Sequence, residues 1–350
     1  MKKQPTIRDV AKVAGVSPAT VSRALSQPGR VKLDTVRRVR ETAEKIGYRT
    51  RLLETDTEQK LTETIVMTAS DLRYPIYGDF IQGMTKQCRK RGFCLMTVST
   101  DEDLAEEQQN IKRILPHTDG MVLTSTRLPD SMLRKAAQVK PLIIVNRIVR
   151  GVQSVLCDDR QSLNEAVMTL YNLGHRSLTY IEGPEKSWQN GLRRQIIFTA
   201  CRQLHIDTRQ IPGPMSLDKH AIQQCFTDFL KRPTTAVIAY NDGIASTFIN
   251  FLQERGIMIP EQVSVIGIDD ASEAQIMSPS LSSIALPRGK MGNLAATQLI
   301  NRILHVSRND SSAIFVKSHF VPRDSIAVAY DAHISFIIDD KHPRQEKAGR

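Results

Sequence analysis

Long apolar runs are missing from this 350-residue chain: none approaches the ~18 residues that a membrane span needs. Its opening, Met-Lys-Lys-Gln-Pro-Thr-Ile-Arg-Asp-Val, has no apolar core of the kind that marks a signal peptide. Cysteine is sparse too. The five present (Cys88, Cys94, Cys157, Cys201, Cys225) are odd in number and show no Cys-x-x-Cys spacing, so neither a disulfide framework nor a thiolate metal site is indicated. A cytoplasmic protein with reduced thiols and no metal is the expectation. The short signatures of common enzymes are lacking as well. No G-x-x-x-x-G-K-[ST], G-x-G-x-x-G, G-x-S-x-G or H-E-x-x-H occurs, so the Walker-B-like strand Val265-Ile-Gly-Ile-Asp-Asp270 has no phosphate loop to work with. An enzyme is disfavoured, and no cofactor is expected. Nor does the segment from Tyr330 onward carry leucine heptads that would build a helical tetramer.

What is present begins with charge. The formal net charge is +11, and it is uneven: residues 1–60 hold 14 Lys/Arg against 7 Asp/Glu, whereas the other 290 hold 34 against 30. A short basic segment on a near-neutral body is the footprint of a nucleic-acid-binding headpiece; by charge alone, a solvated basic face would look the same. Residues 6–25 separate the two readings. Ile7, Val10, Ala11 and Ala14 follow helical spacing, with Thr6 as N-cap and Gly15 as the residue able to take positive φ in the turn that follows. Ser17 then caps a second helix, whose first position is Pro18, where a missing N–H does no harm. Val21 and Leu25 face inward on that helix, leaving Ser17, Ala19, Thr20, Ser22 and Arg23 outside. A third helix, Leu33–Ile46, buries Val36, Val39, Ala43 and Ile46 and keeps Arg37, Arg38 and Arg40 on its polar side. This is a helix-turn-helix. Its second helix would enter the major groove, with Arg23 placed for a bidentate contact to guanine and Thr6, Ser17, Thr20 and Ser22 for phosphates or bases.

From Thr64 onward, apolar runs alternate with amphipathic stretches. Strands are predicted at 65–69, 93–98, 120–124, 142–146, 178–182, 236–240 and 263–268, and helices at 76–91, 104–115, 162–173, 193–204, 221–231, 244–255 and 291–305. Such alternation means doubly wound parallel α/β sheets, and about 270 residues of it make two lobes with a cleft between them. Ligands of open α/β sheets bind at the carboxyl ends of strands, which brings Asn146, Arg147, Asn241, Asp242, Asp269 and Asp270 to the cleft. Asp269 is the preferred ligand of the last two, Asp270 reading equally as a strand-end cap. Tyr74, Tyr77 and Trp188, the only tryptophan, are candidates to stack on a sugar face, with ordinary packing the competing reading for Trp188. His175, in a turn between helix and strand, reads as structural.

Asp9-Val-Ala-Lys-Val-Ala-Gly-Val-Ser-Pro-Ala-Thr-Val-Ser-Arg-Ala-Leu25 resembles the headpiece signature of the lactose/galactose repressor (LacI/GalR) family, D-V-A-x-x-A-G-V-S-x-x-T-V-S-R-x-L, at every fixed position. The body is similar to that family's effector domain through Val145-Asn-Arg147, Cys157-Asp158, Leu173-Gly-His-Arg176, Ile181-Glu-Gly-Pro184, Tyr240-Asn-Asp242, Pro260–Asp270, Leu281-Ser-Ser-Ile284 and Pro322-Arg-Asp-Ser325. The resemblance implies a headpiece at 1–49, a hinge at 50–62, a two-lobed periplasmic-binding-protein-like effector and dimerisation domain at 63–328, and a tail at 329–350 without fixed structure. It implies a repressor that binds a pseudo-palindromic DNA operator as a homodimer, with Pro18, Ala19 and Arg23 as principal base readers. A small sugar, or alternatively a nucleoside or purine, would bind in the cleft, held by Arg193. Two departures stand out. Ile196 replaces the Gly of the family's S-x-x-R-x-x-G-F. In the hinge, Thr50, Arg51, Glu54, Thr55 and Thr57 replace all five family residues, including the Leu that wedges into the minor groove. Leu52 or Leu53 could supply that wedge in a shifted register; otherwise the segment, with Glu54, Asp56 and Glu58, is a polar linker.

Overall fold

The Asp9 carboxylate accepts hydrogen bonds from both the backbone N–H and the hydroxyl of Thr6, each at 2.7 Å, and so fixes the start of α1 (Ile7–Ala14). Gly15 ends that helix at φ 64°, returning its N–H to the Ala11 carbonyl, a conformation glycine takes without strain. Ser17 Oγ accepts from the Thr20 N–H at 3.1 Å and caps α2 (Pro18–Ser26), and α3 (Leu33–Lys45) closes the unit. Val10, Val21 and Val39 are completely buried among Ala11, Ala14, Ala24, Val36 and Ala43. The predicted helical face is therefore the observed one, with Ala24 added. Ile46 and the Arg40 side chain fall outside what is described. The computed structural model describes residues 6–26, 31–45, 61–72, 74, 76–101, 103–214, 219–306 and 312–329. Most of the predicted hinge, including Leu52, Leu53, Glu54, Asp56, Thr57 and Glu58, and the tail from Tyr330 lie outside these residues.

Contacts divide the chain into two units, 1–62 and 63–350. The second has two lobes. In the first lobe, β1 (Thr64–Ala69), α4 (Ile76–Lys90), β2 (Cys94–Ser99), α5 (Leu104–Ile114), β3 (Gly120–Thr124), α6 (Asp130–Val139), β4 (Leu142–Val145) and β5 (Gln153–Asp158) follow in order. The second lobe takes α7 (Arg160–Asn172), β6 (Ser177–Ile181), α8 (Trp188–Gln203), β7 (Asp207–Ile211), α9 (Lys219–Lys231), β8 (Ala236–Ala239), α10 (Asp242–Gln253), β9 (Ser264–Asp269), α11 (Ser272–Ile276) and β10 (Ser282–Ala285). The chain then returns to the first lobe for α12 (Arg288–Ile303) and β11 (Ala313–Lys317), and crosses again for β12 (His319–Val321). The sheets run β11-β5-β4-β3-β1-β2 and β12-β10-β9-β8-β6-β7. Every strand pair is parallel except β10–β12. Helices cover both faces, which is why β3, β4 and β8 read as unbroken apolar runs and are buried throughout.

Five of these strands escape the sequence reading, and each for a reason. β7 (Asp-Thr-Arg-Gln-Ile) is a sheet edge with mostly polar residues. β10 (Ser-Ser-Ile-Ala) looks polar, yet Ser282 and Ser283 are completely buried and hydrogen-bonded, Ser282 Oγ to the Arg323 carbonyl and Ser283 Oγ to Asp242. The same applies to the serine-containing β5; β11 and β12 are short pieces that only the lobe crossings bring into the sheets. The crossings are pinned together: Ser162 and Ser318, beside two of them, share a 2.6 Å hydroxyl contact.

Inside the first lobe, α4 and α12 approach too closely for side chains. A Cβ on Gly292 would lie 2.1 Å from the Phe80 carbonyl oxygen, and one on Gly83 at 2.1 Å from that of Gly289. Gly292→Ala should therefore destabilise the protein by about 1–3 kcal/mol through overpacking, despite alanine's better helix propensity. Chemical denaturation measures this; an unchanged midpoint would show that the helices part freely. Among the described residues, no helix is long and apolar enough to cross a membrane.

Candidate functional site

Two surfaces collect the residues singled out by sequence. On the headpiece, Ser17, Pro18, Ala19, Ser22 and Arg23 are exposed along one side of α2, and Thr20 is half-buried. Hydroxyls at the helix start are partly engaged: Thr6 donates to Asp9, and Ser17 shares a 2.9 Å contact with Thr20 Oγ1. These residues hold the N-terminus of α2 in shape, with the Thr20 and Val21 N–H groups bonded back to Ser17, while Ala19 and Arg23 stay exposed on the outer side. A helix N-terminus next to an arginine is suited to a phosphate and a base edge on one duplex.

The second surface lies where strands of both lobes end. Arg193, on α8, is only 2% exposed. Its Nε donates to Asp159 Oδ2 at 3.2 Å, its Nη1 donates to the Tyr240 carbonyl at 2.8 Å, and the guanidinium lies 5.1 Å from the Tyr240 ring centre. Burial alone would weaken its charge, but Asp159, Tyr240 and Asp269 outweigh that and hold the proton more firmly than usual. Asp159 stands at the crossing between β5 and α7 and is 3% exposed; its Oδ1 is buried with no partner among the described residues. Asp269, at the end of β9, is 5% exposed and its carboxylate takes no hydrogen bond from a described residue. Burial pushes its pKa up to about 7, against the pull of Arg193. Its backbone sits at φ 128° and that of Asp270 at 54°, a left-handed turn that non-glycine residues adopt only when held. Arg288 holds it, donating to the Asp269 and Asp270 carbonyls while pairing with Asp79 on α4 at 3.2 Å.

Other strand-end residues play different parts. Asn146 follows β4 in the left-handed region (φ 63°) with its Oδ1 buried and unpartnered among the described residues. Three other residues predicted as ligands make hydrogen bonds within the fold. Arg147 donates to the Thr126 and Leu128 carbonyls and to Asp130 at 2.6 Å, clamping the loop after β3. Asn241 caps α10 by accepting from the Ile244 N–H at 2.8 Å. Both oxygens of Asp242 are taken, by the Ala271 N–H at 2.8 Å and Ser283 Oγ at 2.6 Å, which straps α10 to β10. Tyr77 is buried with its hydroxyl 2.8 Å from Ser70 Oγ, a packing role at the end of β1. Trp188 occupies the first position of α8 and is 41% exposed, which excludes the core reading. Asp270 pairs with Arg323 at 2.5 Å, the cap rather than the ligand. His175 is buried between Thr235 Oγ1 (2.9 Å) and the Ala327 carbonyl (3.0 Å), a structural pairing. Asp159 was legible only as an acid beside Cys157-Asp158; without β5 recognised as a strand, nothing placed it at a strand end.

A helix-turn-helix joined in one chain to a two-lobed α/β body, with a buried arginine and carboxylates where the lobes' strands end, defines an effector-domain regulator. The match to protein-family models agrees: residues 6–51 fit the bacterial regulatory proteins of the lacI family, and 167–326 fit a periplasmic binding protein-like domain. The chain is similar to the HTH-type transcriptional repressor CytR of Escherichia coli, 29% identical over 314 residues that make up 86% of this chain and 92% of that one. Its fold is similar to the transcriptional regulator CelR–cellobiose complex (TM-score 0.67, 23% identity, 92% of this chain and 100% of the other). A LacI family regulator from Enterococcus faecalis with bound ribose superposes at a TM-score of 0.68, with 25% identity over 76% of this chain and 100% of the other. The chain thus carries a lacI-family helix-turn-helix domain followed by a periplasmic binding protein-like domain.

Proposed function

We propose that this chain is a cytoplasmic, homodimeric repressor whose affinity for a pseudo-palindromic operator is set by a sugar-like molecule bound between the two lobes. In this reading 1–49 is the headpiece, 50–62 the linker and 63–328 the effector and dimerisation domain. The observation that carries it is Arg193, a guanidinium 2% exposed at the strand ends, paired through Nε with Asp159 Oδ2 while Asp159 Oδ1 and, at the end of β4, Asn146 Oδ1 are buried without a partner among the described residues. Such a set is built to receive the hydroxyl groups of a polyol, because each buried polar group left unpaired is unfavourable until a ligand satisfies it. Cellobiose and ribose in the two similar structures point to the same ligand class. Arg193, Asp269 and Asn146 hold the ligand, and Trp188 closes over it from the first turn of α8. Two-fold pairing follows from the headpiece, since one short α2 offers few base contacts and two copies read two half-sites.

Selection of binding duplexes from a random library, followed by fluorescence anisotropy with and without a sugar panel, tests the reading. A duplex that binds but responds to no small molecule sinks the effector half. Pro18 and Ala19 offer no side-chain donors, so direct readout rests on Arg23. Arg23→Ala should weaken the selected site by about 1–3 kcal/mol while leaving random-sequence DNA nearly unaffected. Equal losses on both would make Arg23 a phosphate contact.

A further inference from the structure

We infer that the cleft selects an uncharged polyol and rejects its phosphorylated or carboxylated counterpart, and that Asp159 is a residue that sets this selectivity. The inference rests on the effector reading above and goes beyond it by naming the charge of the ligand. An anionic effector needs surplus positive charge where it binds. The guanidiniums that contact Asp159, Asp269 and Asp270 are each already paired with a carboxylate. Arg193 is paired with Asp159 at 3.2 Å, Arg288 with Asp79 at 3.2 Å, and Arg323 with Asp270 at 2.5 Å. Asp269 is left over, buried and without a basic partner of its own. The balance of this cluster is therefore acidic, or neutral when Asp269 holds a proton; in neither state is it basic.

Hydrogen-bonding capacity points the same way. Asp159 uses Oδ2 for Arg193 and keeps Oδ1 buried with no partner among the described residues. Asn146 Oδ1 is in the same condition, and the Asp269 carboxylate meets no described donor. These are acceptors. A phosphate or carboxylate carries acceptors only and would set oxygen against oxygen, whereas each hydroxyl of a sugar or of a nucleoside's ribose brings a donor. On the donor side, Arg193 already spends Nε on Asp159 and one N–H of Nη1 on the Tyr240 carbonyl, so its charge is matched by a carboxylate before any ligand arrives. The two N–H groups of Nη2 and the second one of Nη1 remain for ligand oxygens, hydroxyls included.

The test is isothermal titration of the full-length protein with pairs that differ only in charge: D-ribose and D-ribose 5-phosphate, D-glucose and D-glucuronate, uridine and uridine 5′-monophosphate. In any pair that binds, the neutral member should bind at least about tenfold more tightly, the effect of placing like charge in a partly dehydrated site. The sugar and nucleoside arms identify which source of polyol is used. Asp159→Asn keeps an acceptor and removes one negative charge, so the neutral-to-anionic ratio should narrow by about threefold or more; Asp269→Asn, which removes a different charge, should narrow it too and serves if the first variant does not fold. An anionic member that binds as tightly as its neutral partner, with operator affinity still responsive, overturns this inference and leaves the effector reading standing. Absence of binding by every compound, with operator affinity unresponsive to all of them, overturns both. A ratio unchanged in both variants removes Asp159 and Asp269 from the selectivity.

Discussion

Arg193→Ala is expected to remove effector binding and to destabilise the second unit by about 3–5 kcal/mol, the range seen when one partner of a buried ion pair is deleted. The size follows from what is left behind. Asp159, 3% exposed and already holding one oxygen without a partner, would lose the donor to its other oxygen as well. The Tyr240 carbonyl would lose its Nη1 contact, and the aromatic ring the cation 5.1 Å from its centre. Arg193→Lys restores a charge but cannot reach both Asp159 and Tyr240 from one ammonium, so it should recover only part of the loss. Calorimetric or denaturant unfolding of the full chain provides the stability, and titration with the best-binding sugar the affinity. A shift below about 1 kcal/mol in Arg193→Ala would mean that water relaxes into the space and that the pair is not structural.

Asp269→Asn should do the reverse to stability while still harming function. Burial moves the Asp269 carboxyl from 3.8 up to about 7, so the folded chain favours the proton more than the unfolded chain does. A raised carboxyl pKa means that stability is fullest below the unfolded value and declines as pH rises toward 7. The variant has no such charge. Its advantage over the parent should therefore be absent near pH 4, grow with pH, and level off above about 7 at roughly 2–4 kcal/mol. Effector affinity at neutral pH should fall by about 1–3 kcal/mol, because the replaced oxygen can no longer accept from two ligand hydroxyls as a carboxylate does. Thermal unfolding at several pH values decides the first part. A variant less stable than the parent at pH 8 would show that the Asp269 charge is welcome in the fold, and that Asp269 is not an acid kept there at a cost for ligand binding. A residue that weakens the apo protein and strengthens its complex is the usual trade at a binding site.

The headpiece was readable almost residue by residue. Val10, Ala14, Val21 and Val39 declare their helices through spacing alone, and Gly15 and Ser17 mark the turn between them, because these effects act within one or two helical turns. The strand-end rule was weaker. It brought Arg147, Asn241, Asp242 and Asp269 to the correct end of the sheets, but could not tell a ligand from a strap. Asp242 and Asp269 are both buried acids at that end; one is saturated by Ala271 and Ser283, which lie 29 and 41 residues away in sequence, and the other is left free. No local pattern encodes which of the two a distant serine will reach.

The helix-turn-helix, the alternation of strands and helices and the basic headpiece on a near-neutral body are written in the order of residues, since periodicity, capping and charge are short-range properties. Tertiary structure alone decided that serine-rich segments such as β10 become central strands, that Arg193 meets Asp159 rather than open solvent, and that Asp269 stays unpaired. Those outcomes depend on which buried groups find partners across the lobe crossings. In a close-packed interior, that is settled by three-dimensional proximity and by the penalty for leaving polar atoms unmatched, neither of which a linear pattern records.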